Sequence, residues 1–138
     1  MIRYKQLYKH DPENNIWGDC GRTCIACLLE IEPIYVPHFF DNNNENGNED
    51  MRNWLLARGY NIVQIALNVQ NLETALEWAK CTIKHDYYIL LGTSKNNVSH
   101  VVICKGNEIV HDPAIGNPGI IGPTADGHIW IDLIYKRI

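Results

Sequence analysis

Hydrophobic residues recur every three or four positions in three stretches of the chain, and this spacing predicts three amphipathic helices. We place them from about Asp19 or Cys20 to Glu32, from about Glu49 to Arg58, and from Asn71 to about Cys81. Gly59 directly follows the second helix, where a glycine commonly ends a helix because it adopts the left-handed conformation without strain.

Short apolar runs bounded by turn residues predict five strands. They are Tyr60–Leu67, Tyr87–Gly92, Val98–Cys104, Glu108–Asp112 and Ile129–Ile134. Because helices lead and hairpin-forming strands follow, the pattern is typical of an α+β fold in which N-terminal helices pack on an antiparallel sheet. A length of 138 residues, with 46% hydrophobic and 20% charged residues, fits a single domain spanning residues 1–138.

Four segments outside these elements have no regular pattern. Ile2–Tyr8 alternates weakly and predicts either a short strand or an extended arm that carries Gln6. Ile34–Phe40 is broken by proline and predicts an apolar connector lying on the core. Asp41–Asp50 is rich in Asn and Glu, which predicts a mobile surface loop and a candidate lid. Ala114–Gly127 carries four glycines and two prolines and predicts a loop.

The composition narrows the class of protein. A net charge of −4, with Lys and Arg scattered along the chain, argues against a nucleic-acid-binding face. The N-terminus lacks the apolar core of a signal peptide, and no run approaches the roughly 20 apolar residues that span a bilayer. We therefore expect a soluble, cytoplasmic protein. The five cysteines are an odd number and three share one predicted helix, which favours reduced thiols over a disulfide framework.

Cys20 lies where a loop becomes a helix, a position that favours a reactive thiol. Unpaired backbone N–H groups and the helix macrodipole favour thiolate over thiol in the first helical turn. Gly18 frees the approach to this turn, and Asp19 is predicted to cap it. Cys24 and Cys27 fall on the apolar face of the same helix, so we expect them to be small buried hydrophobic residues.

A thiol nucleophile needs a base, and the base needs a third group that fixes its orientation. His100 at the start of one predicted strand and Asp112 at the end of the next are the candidates. A three-residue turn at Lys105–Asn107 would place them directly opposite each other, with Cβ atoms about 4.5–5.5 Å apart. A two-residue turn at Gly106–Asn107 would place Val101 opposite Asp112, whose carboxylate would then face away. We expect the three-residue turn, because it supports an imidazole–carboxylate hydrogen bond.

An Asp-Cys-Gly at a helix start, a histidine heading a strand and an Asp-Pro closing the next strand resemble the papain-like cysteine peptidases. The nearest branch is the double-glycine peptidases that process bacteriocin leaders, with the small stand-alone relatives carried by bacteria and their phages. The resemblance implies that Cys20 is the nucleophile, His100 the general base and Asp112 its orienting group. It also implies that an upstream glutamine, here Gln6, donates to the oxyanion together with the Cys20 N–H. Gln6 can do so only if the loop His10–Asp19 folds out of the way.

The resemblance further implies a papain-like fold and a hydrolase that forms an acyl-enzyme on a peptide or protein substrate, with no metal and no cofactor. Three alternatives stay open. The same residues could carry out acyl transfer or deamidation, or the fold could bind a partner without catalysis. Cys20, Cys24 and Cys27 also have a spacing that resembles the iron–sulfur motif of radical enzymes, and with a histidine they could hold zinc.

Overall fold

The computed structural model describes every residue from Met1 to Ile138. Its α-helices are α1 (Cys20–Leu29), α2 (Gly47–Ala57) and α3 (Leu72–Thr82). Its strands are β1 (Tyr60–Leu67), β2 (Tyr87–Thr93), β3 (Ser99–Lys105), β4 (Glu108–His111) and β5 (Ile129–Lys136). The architecture is therefore α+β, as the pattern of apolar residues predicted.

The chain divides into two compact units. The first comprises Met1–Ile62, Pro113–Ile115 and Ile134–Ile138. The second comprises Val63–Asp112 and Gly116–Leu133. A single domain over residues 1–138 stays a prediction. None of the helices has the length and apolar character required to cross a membrane.

The five strands form one sheet in the order β1-β5-β2-β3-β4. β2 pairs antiparallel with β3 and with β5, and β3 pairs antiparallel with β4. The β2–β3 ladder places Tyr88 opposite Cys104, Leu90 opposite Val102, and Gly92 opposite His100. Because directly opposite residues share a face and faces alternate along a strand, His100 lies at the end of a row of core residues.

The core of the second unit includes this row and one face of α3. Asn71 starts the helix, since its side chain accepts a hydrogen bond from Thr74 N–H at 2.8 Å. Ala75 and Ala79 then face the core and are fully buried. The cluster consists of Leu67, Ala75, Ala79, Tyr88, Leu90, Val102, Cys104, Ile120, Ile129 and Ile131. Burial raises the pKa of the Cys104 thiol to about 12, so this thiol stays protonated at neutral pH.

The first unit contains α1, whose central residues are buried. The segment Ile2–Tyr8, called the arm below, forms no strand and bends at Leu7 and Tyr8, and Ile2 N–H donates to the Cys27 carbonyl at 3.2 Å. α1 ends at Leu29, earlier than predicted, because Glu30 adopts a left-handed conformation with a φ of 58°.

The segment Asp41–Asp50 contains more helical structure than the sequence predicted. α2 begins at Gly47, so the prediction of a loop was wrong for the last part of this segment. Asn44 organises the turn before the helix: its amide donates to the Asp50 carboxylate at 2.8 Å, and its oxygen accepts from Asn46 N–H at 3.1 Å. The mobility of the remaining residues stays a prediction.

Candidate active site

The turn of the β3–β4 hairpin differs from the prediction. Lys105 pairs with Glu108, so the turn consists of Gly106 and Asn107 alone. Gly106 has a φ of +61°, and a glycine at the first central position favours a two-residue hairpin turn. The predicted three-residue turn was therefore wrong.

A bulge in β4 compensates for the shorter turn. Cys104 in β3 pairs with Ile109 in β4, but the next residue of β3, Ile103, pairs with His111. Val110 is therefore an extra residue in β4. A shift of one residue moves every following side chain to the opposite face of the sheet. Asp112 therefore lies on the face of His100, although the two-residue turn by itself would have turned it away.

The side chains of His100 and Asp112 are joined by a hydrogen bond. Nε2 of His100 and Oδ1 of Asp112 are 2.7 Å apart, which confirms the predicted contact. Both residues are buried, with 5% and 7% of their surface exposed. Because an ionised carboxylate only accepts hydrogen bonds, Nε2 carries the hydrogen, and in the neutral ring Nδ1 carries the lone pair.

The loop that follows Asp112 supports the carboxylate from the other side. Gly119 N–H donates to Oδ2 of Asp112 at 2.8 Å. The loop is anchored to the end of β2, where Thr93 N–H donates to the Gly122 carbonyl at 2.9 Å and Ile121 N–H donates to the Thr93 carbonyl at 2.7 Å. Both carboxylate oxygens are thus occupied by donors on ordered segments, which fixes the orientation of the carboxylate.

Cys20 is the first residue of α1, as predicted, and its side chain is half-buried. At this position its backbone N–H has no acceptor within the helix. Cys24 and Cys27 are fully buried, as expected from the apolar face of the helix. Cys27 Sγ accepts a hydrogen bond from Tyr4 N–H at 3.3 Å, and burial raises the pKa of its thiol. These two cysteines lie in the protein core, on the buried face of α1.

Asp19 does not cap α1 with its side chain, which corrects the prediction. Its carboxylate is only 1% exposed and accepts hydrogen bonds from Leu7 N–H at 3.2 Å and Tyr8 N–H at 2.9 Å. Arg22 Nε, also buried, donates to the same carboxylate at 2.9 Å. A buried carboxylate requires such compensation, and the arm and Arg22 supply it together.

The loop between Gln6 and Cys20 closes on itself. Asp11 and Ile16 exchange two backbone hydrogen bonds, of 2.8 and 3.0 Å, as an isolated antiparallel bridge. The loop therefore closes through its own bridge, and the N–H groups of Leu7 and Tyr8, directly after Gln6, donate to the Asp19 carboxylate. A role of Gln6 beside the start of α1 stays a prediction.

The side chains of this structure do not form a metal-binding cluster. No group of three His, Cys, Asp or Glu side chains is arranged to hold a metal ion. Two of the three cysteines with the iron–sulfur-like spacing, Cys24 and Cys27, lie in the core.

Comparisons with protein-family models, with curated proteins and with solved structures found no match to the chain. The functional interpretation therefore depends on two local arrangements. One is the thiol at the first residue of α1, and the other is the buried pair of His100 and Asp112.

Proposed function

We propose that the protein is a papain-like cysteine hydrolase that cleaves an amide bond in a peptide or protein substrate. In this proposal Cys20 is the nucleophile, His100 the general base and Asp112 the group that orients the base. Gln6 and the backbone N–H of Cys20 donate to the oxyanion. The observation that carries the proposal is the 2.7 Å hydrogen bond between the buried side chains of His100 and Asp112.

The environment of the pair supports proton transfer over a purely structural role. Burying an imidazole and a carboxylate costs free energy because both lose hydration, and apolar side chains often stabilise such positions better. The hydrogen bond from Gly119 to the second carboxylate oxygen keeps the first oxygen directed at Nε2. Nδ1 then carries the lone pair that accepts a proton, which is the property a general base needs.

The proposed reaction has two halves. The Cys20 thiolate attacks the carbonyl carbon, and the electron pair of the C=O bond moves to the oxygen, where Gln6 and the Cys20 N–H stabilise it. Protonated His100 gives its proton to the leaving amine as the C–N bond breaks, which leaves a thioester. His100 then takes a proton from water, the water oxygen attacks the thioester, and the C–S bond breaks to regenerate the thiolate. An amine in place of water would give acyl transfer by the same residues.

The proposal includes a cytoplasmic location. A nucleophilic thiol must stay reduced, and the cytoplasm keeps thiols in that state. Burial of Cys24, Cys27 and Cys104 leaves Cys20 and the exposed Cys81 as the thiols to compare in experiments.

An activated ester tests the proposal without knowledge of the natural substrate. Reaction with p-nitrophenyl acetate should place one acetyl group on Cys20, detected by peptide mass mapping, with release of p-nitrophenolate. Cys20→Ser should abolish this acylation and His100→Ala should slow it, whereas Cys81→Ser should leave it unchanged. Equal acetylation of Cys20 and Cys81, or none at Cys20, would contradict the proposal and favour a binding module of the same fold.

A further inference from the structure

The carboxylate of Asp19 connects the nucleophile helix to the segment that carries Gln6. Its oxygens accept from the backbone N–H groups of Leu7 and Tyr8. Its own backbone carbonyl accepts from the Thr23 hydroxyl at 2.8 Å and the Thr23 N–H at 3.1 Å, within the first turn of α1. One residue is therefore fixed both to the start of the helix and to the arm.

The side-chain amide of Gln6 is positioned by the same segment. Nε2 of Gln6 donates to the Tyr8 carbonyl at 2.7 Å, and the N–H of that same Tyr8 donates to Asp19. Gln6 N–H donates to the Pro113 carbonyl at 2.8 Å. An amide nitrogen carries two hydrogens, so the bond to Tyr8 fixes the amide and leaves a second N–H to donate to a ligand.

The charge on Asp19 is balanced where it lies. Arg22 pairs with it through Nε and also donates from Nη1 to the Val36 carbonyl at 3.1 Å. Both side chains are buried. Hydrogen bonds to backbone N–H groups are directional. The Asp19 carboxylate therefore restricts the position of the arm more closely than an apolar side chain could.

We propose that Asp19 is a positioning residue that holds the Gln6 amide in place to donate to the oxyanion. It acts through the backbone of Leu7 and Tyr8 and does not touch the substrate itself. This inference rests on the proposed function, since it assigns a residue to the same reaction.

The proposal separates two reactions of the same thiol. Acylation by an ester develops negative charge on the carbonyl oxygen, and an oxyanion donor accelerates it. Alkylation by iodoacetamide is a displacement at a CH₂ group and develops no such oxyanion. Loss of Asp19 should therefore slow acylation of Cys20 and leave its alkylation unchanged. A purely structural role would change both rates together.

The test measures both rates at Cys20 for wild type, Gln6→Ala, Asp19→Asn and the double variant. Removing one oxyanion donor slows such reactions by roughly 10²- to 10³-fold, so we expect acylation to fall by about that factor in Gln6→Ala. Asp19→Asn should lose most of the same factor, and the double variant should be no slower than Gln6→Ala, because both changes remove one function. Alkylation should stay within about twofold of wild type, a change too small to reflect a lost donor. Asp41→Asn removes the same charge at an exposed position of the same unit and should change neither rate.

Each contrary outcome has its own meaning. If wild-type Cys20 is not acylated, the proposed function fails. If Gln6→Ala slows acylation but Asp19→Asn does not, the positioning role fails while the function stands. If Asp19→Asn slows acylation and alkylation equally, Asp19 is structural and the inference is wrong.

A measurement on the wild-type protein keeps the inference testable even if Asp19→Asn does not fold. The amides of Leu7 and Tyr8 should show slow hydrogen exchange, since both donate to a buried carboxylate. Exchange at the rate of an unprotected loop would mean that the arm is not held by Asp19, which would overturn the proposal.

Discussion

Two buried carboxylates, Asp19 in the first unit and Asp112 in the second, hold the two halves of the proposed machinery. Each accepts a hydrogen bond from the backbone of a neighbouring loop or arm, Asp19 from Leu7 N–H and Asp112 from Gly119 N–H, and each has a nitrogen-bearing side chain as its partner. The partners differ. Asp19 binds the guanidinium of Arg22, a type of group that does not exchange its proton in proteins, whereas Asp112 binds the imidazole of His100, a type of group that serves as a proton carrier in catalysis.

This difference indicates the function to which each carboxylate is suited. A pair with a permanent charge keeps one geometry at all working pH values, which fits a residue that positions a backbone segment. A pair with an imidazole gains attraction when the ring is protonated, which fits a residue that serves a proton carrier. Changes at Asp112 should therefore alter chemistry most, and changes at Arg22 should alter stability most.

The largest effect is expected for Asp112→Asn. The amide cannot present acceptors to both His100 Nε2–H and Gly119 N–H, so the orientation and tautomer of the imidazole are lost. We expect turnover of p-nitrophenyl acetate to fall by as much as about 10⁴-fold with the fold retained. The exposed Asp86→Asn serves as the control. Unchanged turnover in Asp112→Asn would reduce Asp112 to a strand-end residue.

Arg22→Met should instead act on stability. It leaves the buried Asp19 carboxylate without its counter-charge, and breaking a buried pair from one side costs about 3–5 kcal/mol. Urea denaturation measures this loss in the free energy of unfolding. Arg58→Met, at an exposed guanidinium stacked on Trp54, should cost no more than about 1 kcal/mol. Equal free energies of unfolding for the two variants would show that the buried pair stabilises the fold no more than the exposed stacking contact does.

Gly92→Ala should disturb the support of Asp112 without touching either carboxylate. A Cβ at Gly92 would lie 2.5 Å from Ile120 Cγ2 and 2.6 Å from the Gly122 carbonyl oxygen, within the loop whose Gly119 binds Asp112. Such overpacking costs about 1–3 kcal/mol. Gly122→Ala is the matched control, because a Cβ there meets nothing within 4 Å. The same stability for both variants in thermal unfolding would show that the loop tolerates a side chain at Gly92.

The smallest change in stability is expected for a substitution at Asp126, an exposed carboxylate that serves as a third comparison. Hydrogen bonds from the Thr124 hydroxyl, His128 N–H and Trp130 Nε1 lower its pKa from 3.8 to about 2. Because the folded-state pKa is the lower one, the stabilisation is present above 3.8 and is lost as the pH falls towards 2. Asp126→Asn should be slightly less stable than wild type at neutral pH, and the difference should shrink across this range. A difference independent of pH would contradict the assignment.

The sequence predicted the elements better than it predicted the contacts between them. Periodicity is a local signal, and it placed Cys20 at the start of α1 and His100 at the start of β3. The prediction of the turn was wrong because the hairpin register also depends on Val110, and nothing in the local sequence marks that residue as a bulge. His100 and Asp112 meet because the shorter turn and the bulge offset each other.

The contacts of Asp19 were missed for a related reason. A helix-start aspartate is expected to cap its own helix, because that is the interaction visible in a local sequence window. Its real donors are Leu7, Tyr8 and Arg22, two of which become neighbours only after the loop before α1 has closed. The same holds for Gly119, whose glycine-rich loop carries no signal for a donor to Asp112.

The most direct test of the central claim compares two thiols in one molecule. Cys20 is the first residue of α1, whereas the exposed Cys81 lies in the last turn of α3, with Sγ 3.7 Å from a Glu77 carboxylate oxygen. Iodoacetamide at about pH 6, with peptide mapping, should label Cys20 well before Cys81, and His100→Ala should slow the labelling of Cys20. Equal labelling of Cys20 and Cys81 in the wild-type protein would contradict the claim that Cys20 is a catalytic nucleophile.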